Sequence, residues 1–296
     1  MSSYGLKFIN SSGTRVVGRE EDNLKFIEKV TTHTNSTYAY MKYMTFTVTS
    51  TEFPIVYLYI PYDDVGTCSN ASYTEMTDCM LGGGAWTWTN TDETNMAAVT
   101  NIYNTTGNTW EVTVIGATGG YAKNACLYVF NESGSTPSSD THGLRVYKAD
   151  GTTLAYDSGF KPLIAKWGAE FTSMPTGTLG VVHKEFDTGD WSTRGVSKPA
   201  FNCSVNSLIF SQRNSFFCFD GSMYWYLKYW RHYVSITSGG VAMWSIQCTT
   251  RNQFSSSDYS TTNSDCTGAT SPFASSQGIW YYKNKTIPFI DGADYD

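Results

Sequence analysis

The chain has 296 residues, of which 41% are hydrophobic, 16% aromatic and only 16% charged. That apolar content supports a packed core and excludes a disordered chain. A formal net charge of −6 without a Lys/Arg cluster argues against binding nucleic acid through its phosphates, and no apolar run reaches the length of a membrane-crossing helix.

Abundant Thr, Ser, Asn and Gly beside the aromatic residues favour strands and polar turns. The first residues, MSSYGLKFIN, lack the charged-then-apolar pattern of a secretion signal, so synthesis in the cytoplasm without export is expected. They run into a hairpin pattern over residues 4–17 (YGLKFINSSGTRVV). Residues 20–30 fit a helical turn or a short strand. Residues 45–49 (TFTVT) alternate with period two, the strand signature. Residues 55–60 (IVYLYI) are apolar on both faces between Pro54 and Pro61, which predicts a central strand. Residues 65–88 form a long predicted loop with Gly82, Gly83 and Gly84 and two tryptophans, Trp86 and Trp88. Further strands are predicted at residues 110–115 (WEVTVI) and 127–130 (LYVF).

Residues 131–141 (NESGSTPSSDT) have linker composition. A second hairpin follows over residues 142–162. Leu144, Val146 and Leu154 are expected on its inward face, and Asp150-Gly151 at its turn supplies the left-handed backbone a tight hairpin needs. Laid without a gap on residues 142–155, residues 4–17 repeat Gly5/Gly143, Leu6/Leu144, Gly13/Gly151 and Thr14/Thr152. This predicts two related modules, with Gly13 as the first turn. Beyond them, residues 207–210 and 215–219 read as two short strands. Residues 224–236 (YWYLKYWRHYVSI) read as a strand that returns through residues 241–247, with helix as the alternative. Residues 255–276 are Ser/Thr-rich, as in a surface loop, and short strands at 280–282 and 287–290 close the chain.

The cysteines (Cys68, Cys79, Cys126, Cys203, Cys218, Cys248 and Cys266) are odd in number, without metal-site spacing, so no zinc is expected. Cytoplasmic synthesis favours free thiols, with Cys126 and Cys218 buried; closure of a loop by Cys68 and Cys79 is the alternative. His33, His142, His183 and His232 show no ligand spacing. Asp187 and Asp190 flank a glycine near Trp191, the one pair that suggests a polysaccharide-cleaving acid. The acidic residues 290–296 (IDGADYD) offer Asp291, Asp294 and Asp296 as oxygen ligands for Ca²⁺. A solvated tail that packs in a larger assembly is the stronger expectation. No catalytic residues and no cofactor are expected. Trp86 and Trp88, in a glycine-rich loop, are the candidates for surface recognition, since exposed aromatic rings stack on sugars and anchor interfaces. Tyr57, Tyr59 and Tyr226 are expected in the core.

The phrase Gly-Leu-Arg-Val-Tyr at residues 143–147, with Tyr-Asp-Ser-Gly-Phe at 156–160 after a Ser/Pro-rich linker, resembles tail proteins of tailed bacteriophages. There a similar hairpin, matched here by residues 4–13, opens the chain. The resemblance covers about 45 of the 296 residues, and its motifs are structural. The first copy departs from it, with Arg19-Glu20-Glu21-Asp22 where the second has Asp157-Ser158-Gly159-Phe160. The resemblance implies a virion protein of the tail, at the tip or on a fibre. Its partners would be copies of itself and other tail proteins, with a host surface glycan as the alternative ligand. The expected fold is all-β, with two β-sandwich-like modules, residues 1–130 and 142–296, joined by residues 131–141.

Overall fold

The computed structural model describes residues 8–9, 15–17, 24–38, 41–61, 66–74, 79, 86–88, 93–94, 96–116, 120–122, 124–132, 137–148, 150–152, 154–171, 183–187, 191, 193–202, 208–217, 223–236, 240–253, 273–275 and 285–296. These residues form an all-β fold.

One large sheet has six strands in the order β16 (Trp167–Phe171), β23 (Lys285–Asp291), β18 (Pro199–Asn202), β6 (Ile55–Tyr59), β13 (Cys126–Glu132) and β3 (Leu24–Val30). The other has nine. Its main path is β17 (His183–Asp187), β21 (Val241–Gln253), β20 (Met223–Ile236), β10 (Met96–Thr106), β11 (Thr109–Gly116), β5 (Met41–Thr49) and β4 (His33–Tyr38). β19 (Leu208–Phe217) also pairs with β20, and β22 (Phe273–Ser275) with β19. Among the described residues there are also four small sheets. They are β1 (Phe8–Ile9) with β2 (Arg15–Val17), β7 (Gly66–Cys68) with β8 (Trp86–Trp88), β9 (Glu93–Thr94) with β12 (Tyr121–Ala122), and β14 (Arg145–Tyr147) with β15 (Leu154–Asp157).

The two large sheets face each other across one apolar core, which makes a sandwich. Met44, Phe46 and Val48 of β5, Val112 and Val114 of β11, and Val234 and Ile236 of β20 meet Val56 and Leu58 of β6, Leu127 and Val129 of β13, and Ile287 and Phe289 of β23. Neighbouring residues on a strand point to opposite faces, so β6 and β13 send their other side chains to the far side of the six-stranded sheet. There Tyr57, Cys126, Tyr128 and Phe130 form a second cluster with Ala200, Ile290 and Tyr295. This is the physical content of the two-faced apolar run at residues 55–60: β6 is central and covered on both sides.

The expected boundary at residues 131–141 does not divide one sheet from another. β6, from the first half, pairs with β18 from the second (Ala200↔Tyr59, Phe201↔Leu58). β10 pairs in the same way with β20 (Met96↔Ser235, Ala97↔Val234). The two expected modules therefore share both large sheets. Side-chain alternation identifies a strand, but strand partners are chosen by backbone groups that look alike in every strand.

Of the two alternatives expected within residues 20–30, residues 24–30 take the strand. Residues 208–217 form one continuous strand with no break at Gln212-Arg213-Asn214. β20 is a strand as expected, and β21 returns along its whole length, from Ile236↔Val241 to Tyr224↔Gln253. Tyr57 is buried as expected, and Tyr59 half-buried. Cys126 is buried, whereas Cys218 and residues 280–282 lie outside the described residues.

Both copies of the repeated phrase form antiparallel hairpins, and each has a register shift at the equivalent place, between Phe8 and Ile9 and between Val146 and Tyr147. Gly13 lies outside the described residues. At the second turn Gly151 has φ +73, the Gly151 amide donates to the Lys148 carbonyl, and the Thr152 amide donates to Asp150 Oδ1. The inward face is only partly the one expected: Leu154 is buried, but Val146 is half-buried, Leu144 is 37% exposed, and Ala155 on the opposite face is buried as well. β14 is only three residues long and the bulge rotates its register, so the covered part of the hairpin is β15.

A Cβ at Gly151 would meet no atom within 4 Å, so the cost of a substitution there is backbone strain alone. Gly151→Val is expected to lower unfolding free energy by about 1–3 kcal/mol, and Gly151→Asn by clearly less, because Asn tolerates the left-handed region. Chemical denaturation of both variants beside the native chain checks this; equal midpoints for Val and Gly would contradict the turn.

Candidate functional site

The residues of the recurring phrase close a polar clasp around the second hairpin. Asp157 is buried at the end of β15. Its carboxylate accepts from the Ser138 amide at 2.9 Å, the Gly159 amide at 2.9 Å and the Ser138 hydroxyl at 3.0 Å. It also accepts from Arg145 Nε at 3.1 Å. Arg145 Nη2 reaches back to the Ser138 and Asp140 carbonyls, which straps residues 137–141 to the hairpin. Ser158 bonds Leu144 twice, through its hydroxyl to the Leu144 amide and through its amide to the Leu144 carbonyl. A Cβ at Gly143 would run into Ser158 Oγ, and one at Gly159 into Ser138 Oγ. Burial pushes the Asp157 carboxyl up, but these donors outweigh it and hold it below the usual carboxylate value. In the first copy Lys7 and Arg19 stand at the positions of Arg145 and Asp157, two like charges where the clasp has a pair. The departure of that copy from the phrase thus replaces the Arg/Asp pair on which the clasp is built.

Trp86 and Trp88 lie on β8 rather than in a loop. The two ends of the expected 65–88 loop pair through Gly66↔Trp88, Thr67↔Thr87 and Cys68↔Trp86. Positions 86 and 88 thus fall on one face of a short strand. Cys68, opposite Trp86, is joined in a disulfide to Cys79, which is fully buried; this corrects the expectation of free thiols at these positions. Gly82, Gly83 and Gly84 lie outside the described residues.

The acidic pair is not assembled into a described site. Asp187 ends β17 opposite Val241, and Asp190 lies outside the described residues. Trp191 is buried in the main core, where its carbonyl accepts from the Arg194 and Val196 amides. His142 is exposed beside Thr141, and His33 packs on Phe46. Among the described residues no group of His, Cys, Asp or Glu is placed to hold a metal ion.

The acidic end corrects both expectations made of it. Residues 290–296 are neither a solvated tail nor a Ca²⁺ cradle; they are a plug that caps the second apolar cluster. Asp291 caps a 3-10 helix (Gly292–Tyr295), and its carboxylate is filled by the Ser197, Lys198 and Ala293 amides and the Ser197 hydroxyl. Tyr295 is buried against Phe130 and Phe26, with ring centroids at 4.9 and 5.2 Å. Its hydroxyl donates to the Pro162 carbonyl and accepts from the Ile164 amide. Asp294 pairs with Lys166 at 3.1 Å. Asp296 pairs with Lys29 at 2.7 Å and Lys198 at 2.8 Å, and accepts from the Tyr128 hydroxyl at 2.9 Å. Lys198 also sits over the rings of Tyr59 and Tyr128, at 4.8 and 5.7 Å from their centroids. A Cβ at Gly292 would collide with the Tyr128 ring, so glycine is required at that contact. Burial pushes the Cys126 thiol and the Tyr128 hydroxyl up. The plug was legible in one signal that composition conceals. The phrase Asp-Gly-Ala-Asp-Tyr places a helix cap and a large aromatic residue inside an acidic run.

No protein-family model matches the chain, nor does any curated protein or solved structure.

Burial raises the Asp296 carboxyl, but the hydrogen bonds from Lys198, Lys29 and Tyr128 outweigh it and bring it down to about 2. Its folded value is thus below its unfolded one. Ionised Asp296 stabilises the native chain above about pH 4, and that stabilisation is lost as pH falls toward about 2. Asp296→Asn is expected to be less stable than the native chain at pH 7, with the difference shrinking by added salt and vanishing between about pH 4 and 2. Urea unfolding across that range checks it; a difference independent of pH would contradict the ion-paired plug.

Proposed function

We propose that the protein is a structural component of a bacteriophage tail, at the tip or on a fibre, and that it assembles there with copies of itself and with other tail proteins. The observation that carries this reading is the recurring phrase. Its two copies both form bulged antiparallel hairpins, and in the second copy the residues of the phrase are the ones that close the clasp. The phrase that resembles phage tail proteins thus corresponds to a discrete structural unit in this chain. A chain rich in strands and polar turns, with a plugged sandwich, suits a structural building block. Such subunits assemble by default with closed symmetry. The test is to raise antibody to the purified protein, decorate intact particles from a host culture, and read label position by electron microscopy. Label confined to the tail is expected; particles free of label, with the protein left in the soluble fraction, would overturn the reading.

A second reading adds recognition of a host surface polysaccharide. It is favoured by the placement of positions 86 and 88 on one face of β8, beside a disulfide that ties the hairpin down. Tryptophan rings stack on the apolar faces of sugars, and a fixed hairpin lowers the ordering cost of binding. A glycan array with the native chain and a Trp86→Ala, Trp88→Ala double variant separates the two readings. Binding at least tenfold weaker in the variant is expected, and no signal from the native chain would end the idea.

A further inference from the structure

The two large sheets end in four strands of five or more residues: β3, β16, β17 and β4. A sheet edge carries unpaired amides and carbonyls and pairs readily with another strand unless charge, proline or a covering segment prevents it. β3 is covered. Its Phe26 amide donates to the Lys161 carbonyl, the Leu163 amide donates to the Leu24 carbonyl, and Lys25 bridges to Pro162. β16 (WGAEF) carries Glu170, and β17 (HKEFD) carries Lys184, Glu185 and Asp187. β22 is three residues long, too short to template much pairing.

β4 is the exception. Its sequence, HTNSTY, has no charged residue and no proline, and Thr34, Asn35, Ser36 and Thr37 are all exposed. It pairs regularly with β5 from His33↔Phe46 to Tyr38↔Met41, with no bulge. Among the described residues no backbone group lies hydrogen-bonded along its outer side. The Tyr121 hydroxyl lies against Thr37 Oγ1 at 3.1 Å and the Ser36 carbonyl at 3.5 Å, with the Tyr121 ring beneath Lys42 of β5.

We propose that β4 is a self-association edge, pairing antiparallel with β4 of a second copy across a two-fold axis. This deepens the tail-subunit reading by naming the contact through which copies would meet. Three properties select a second copy as occupant. An antiparallel strand pair related by a two-fold axis is self-complementary, so each copy supplies the same donors and acceptors it receives. The strand carries no Lys, Arg, Asp or Glu, so its own image meets it without repulsion between such side chains. Of the four strands that end the two sheets, β3 is covered and β16 and β17 carry charge, which leaves β4 as the neutral one among the described residues. The joined sheet would run without interruption from β10 and β11 of one copy, through β5 and both β4 strands, to those of the other.

The test uses the full chain at several concentrations, weighed by native mass spectrometry and light scattering. It is compared with a Thr34→Lys, Ser36→Lys double variant and with Asn35→Pro. Lysines on two exposed edge positions leave the fold intact, which a melting curve equal to that of the native chain verifies; proline removes a backbone donor directly. The native chain is expected to form dimers or larger even-numbered species, and both variants to self-associate at least tenfold more weakly. A native chain that stays monomeric overturns the proposal. So does one that cross-links through residues 33–38 to a different virion protein. Variants that keep the native mass overturn it too, and place self-association elsewhere. None of these outcomes bears on where antibody labels the particle, so the edge and the tail assignment fail separately.

Discussion

The six-stranded sheet must be covered on both faces, and most of the molecule is arranged to do so. β6 and β13 alternate large apolar residues in both directions: Val56, Leu58, Leu127 and Val129 toward the nine-stranded sheet, and Tyr57, Tyr128 and Phe130 away from it. The first set is buried by the partner sheet. The second would form an exposed aromatic patch if the chain ended at β23, and patches of that kind drive association. Residues 291–296 close it. Tyr295 fills the space between Phe26 and Phe130, while Asp291 and Asp296 satisfy the polar groups that burial would otherwise strand. Buried polar atoms are tolerable only when they are hydrogen-bonded, so the aromatic and acidic parts of the plug form one unit. Lys198 links them: it neutralises Asp296 while its stem and ammonium pack on Tyr59 and Tyr128.

The second hairpin follows the opposite logic. β14 is largely exposed and the hairpin buries little beyond Leu154, Ala155 and Asp157, so an isolated two-stranded ribbon of this size has little apolar burial to hold it. Its stability comes from a dense set of short-range polar contacts around Asp157. Those contacts also strap residues 137–141 against the strands. A phrase that encodes such a clasp can recur between proteins without carrying any chemistry, because every residue in it answers a local geometric demand. The first hairpin keeps the bulge, closes its turn one residue sooner (Ile9↔Arg15 against Tyr147↔Leu154) and carries Lys7 and Arg19 in place of the charge pair.

Edges and plug together describe a molecule whose surfaces are treated unequally. One long edge is covered by its own chain and others are charged. The far face of one sheet is sealed by residues 291–296, and β4 is uncharged, with no backbone partner on its outer side among the described residues. In a β protein, assembly follows from which edges are left unprotected. The disulfide between Cys68 and Cys79 applies the same economy to the β7–β8 hairpin, which is too short to hold its register by pairing alone.

Side-chain alternation and turn residues were enough, from the sequence alone, to place β5, β6, β11, β13, β20 and the Asp150-Gly151 turn, and to establish an all-β fold. Each of these signals is local: period two is a property of a few successive residues, and a left-handed glycine answers to its own φ. The joining of β6 with β18, and of β10 with β20, was not legible. Backbone donors and acceptors are the same in every strand, so partners separated by more than a hundred residues are selected only when the whole core closes. For the same reason the acidic end looked solvated. The positions of Lys29, Lys198, Lys166 and the Ser197 amide around it exist only after folding. Sequence determined which segments are strands; tertiary structure decided which strands meet and which faces are sealed.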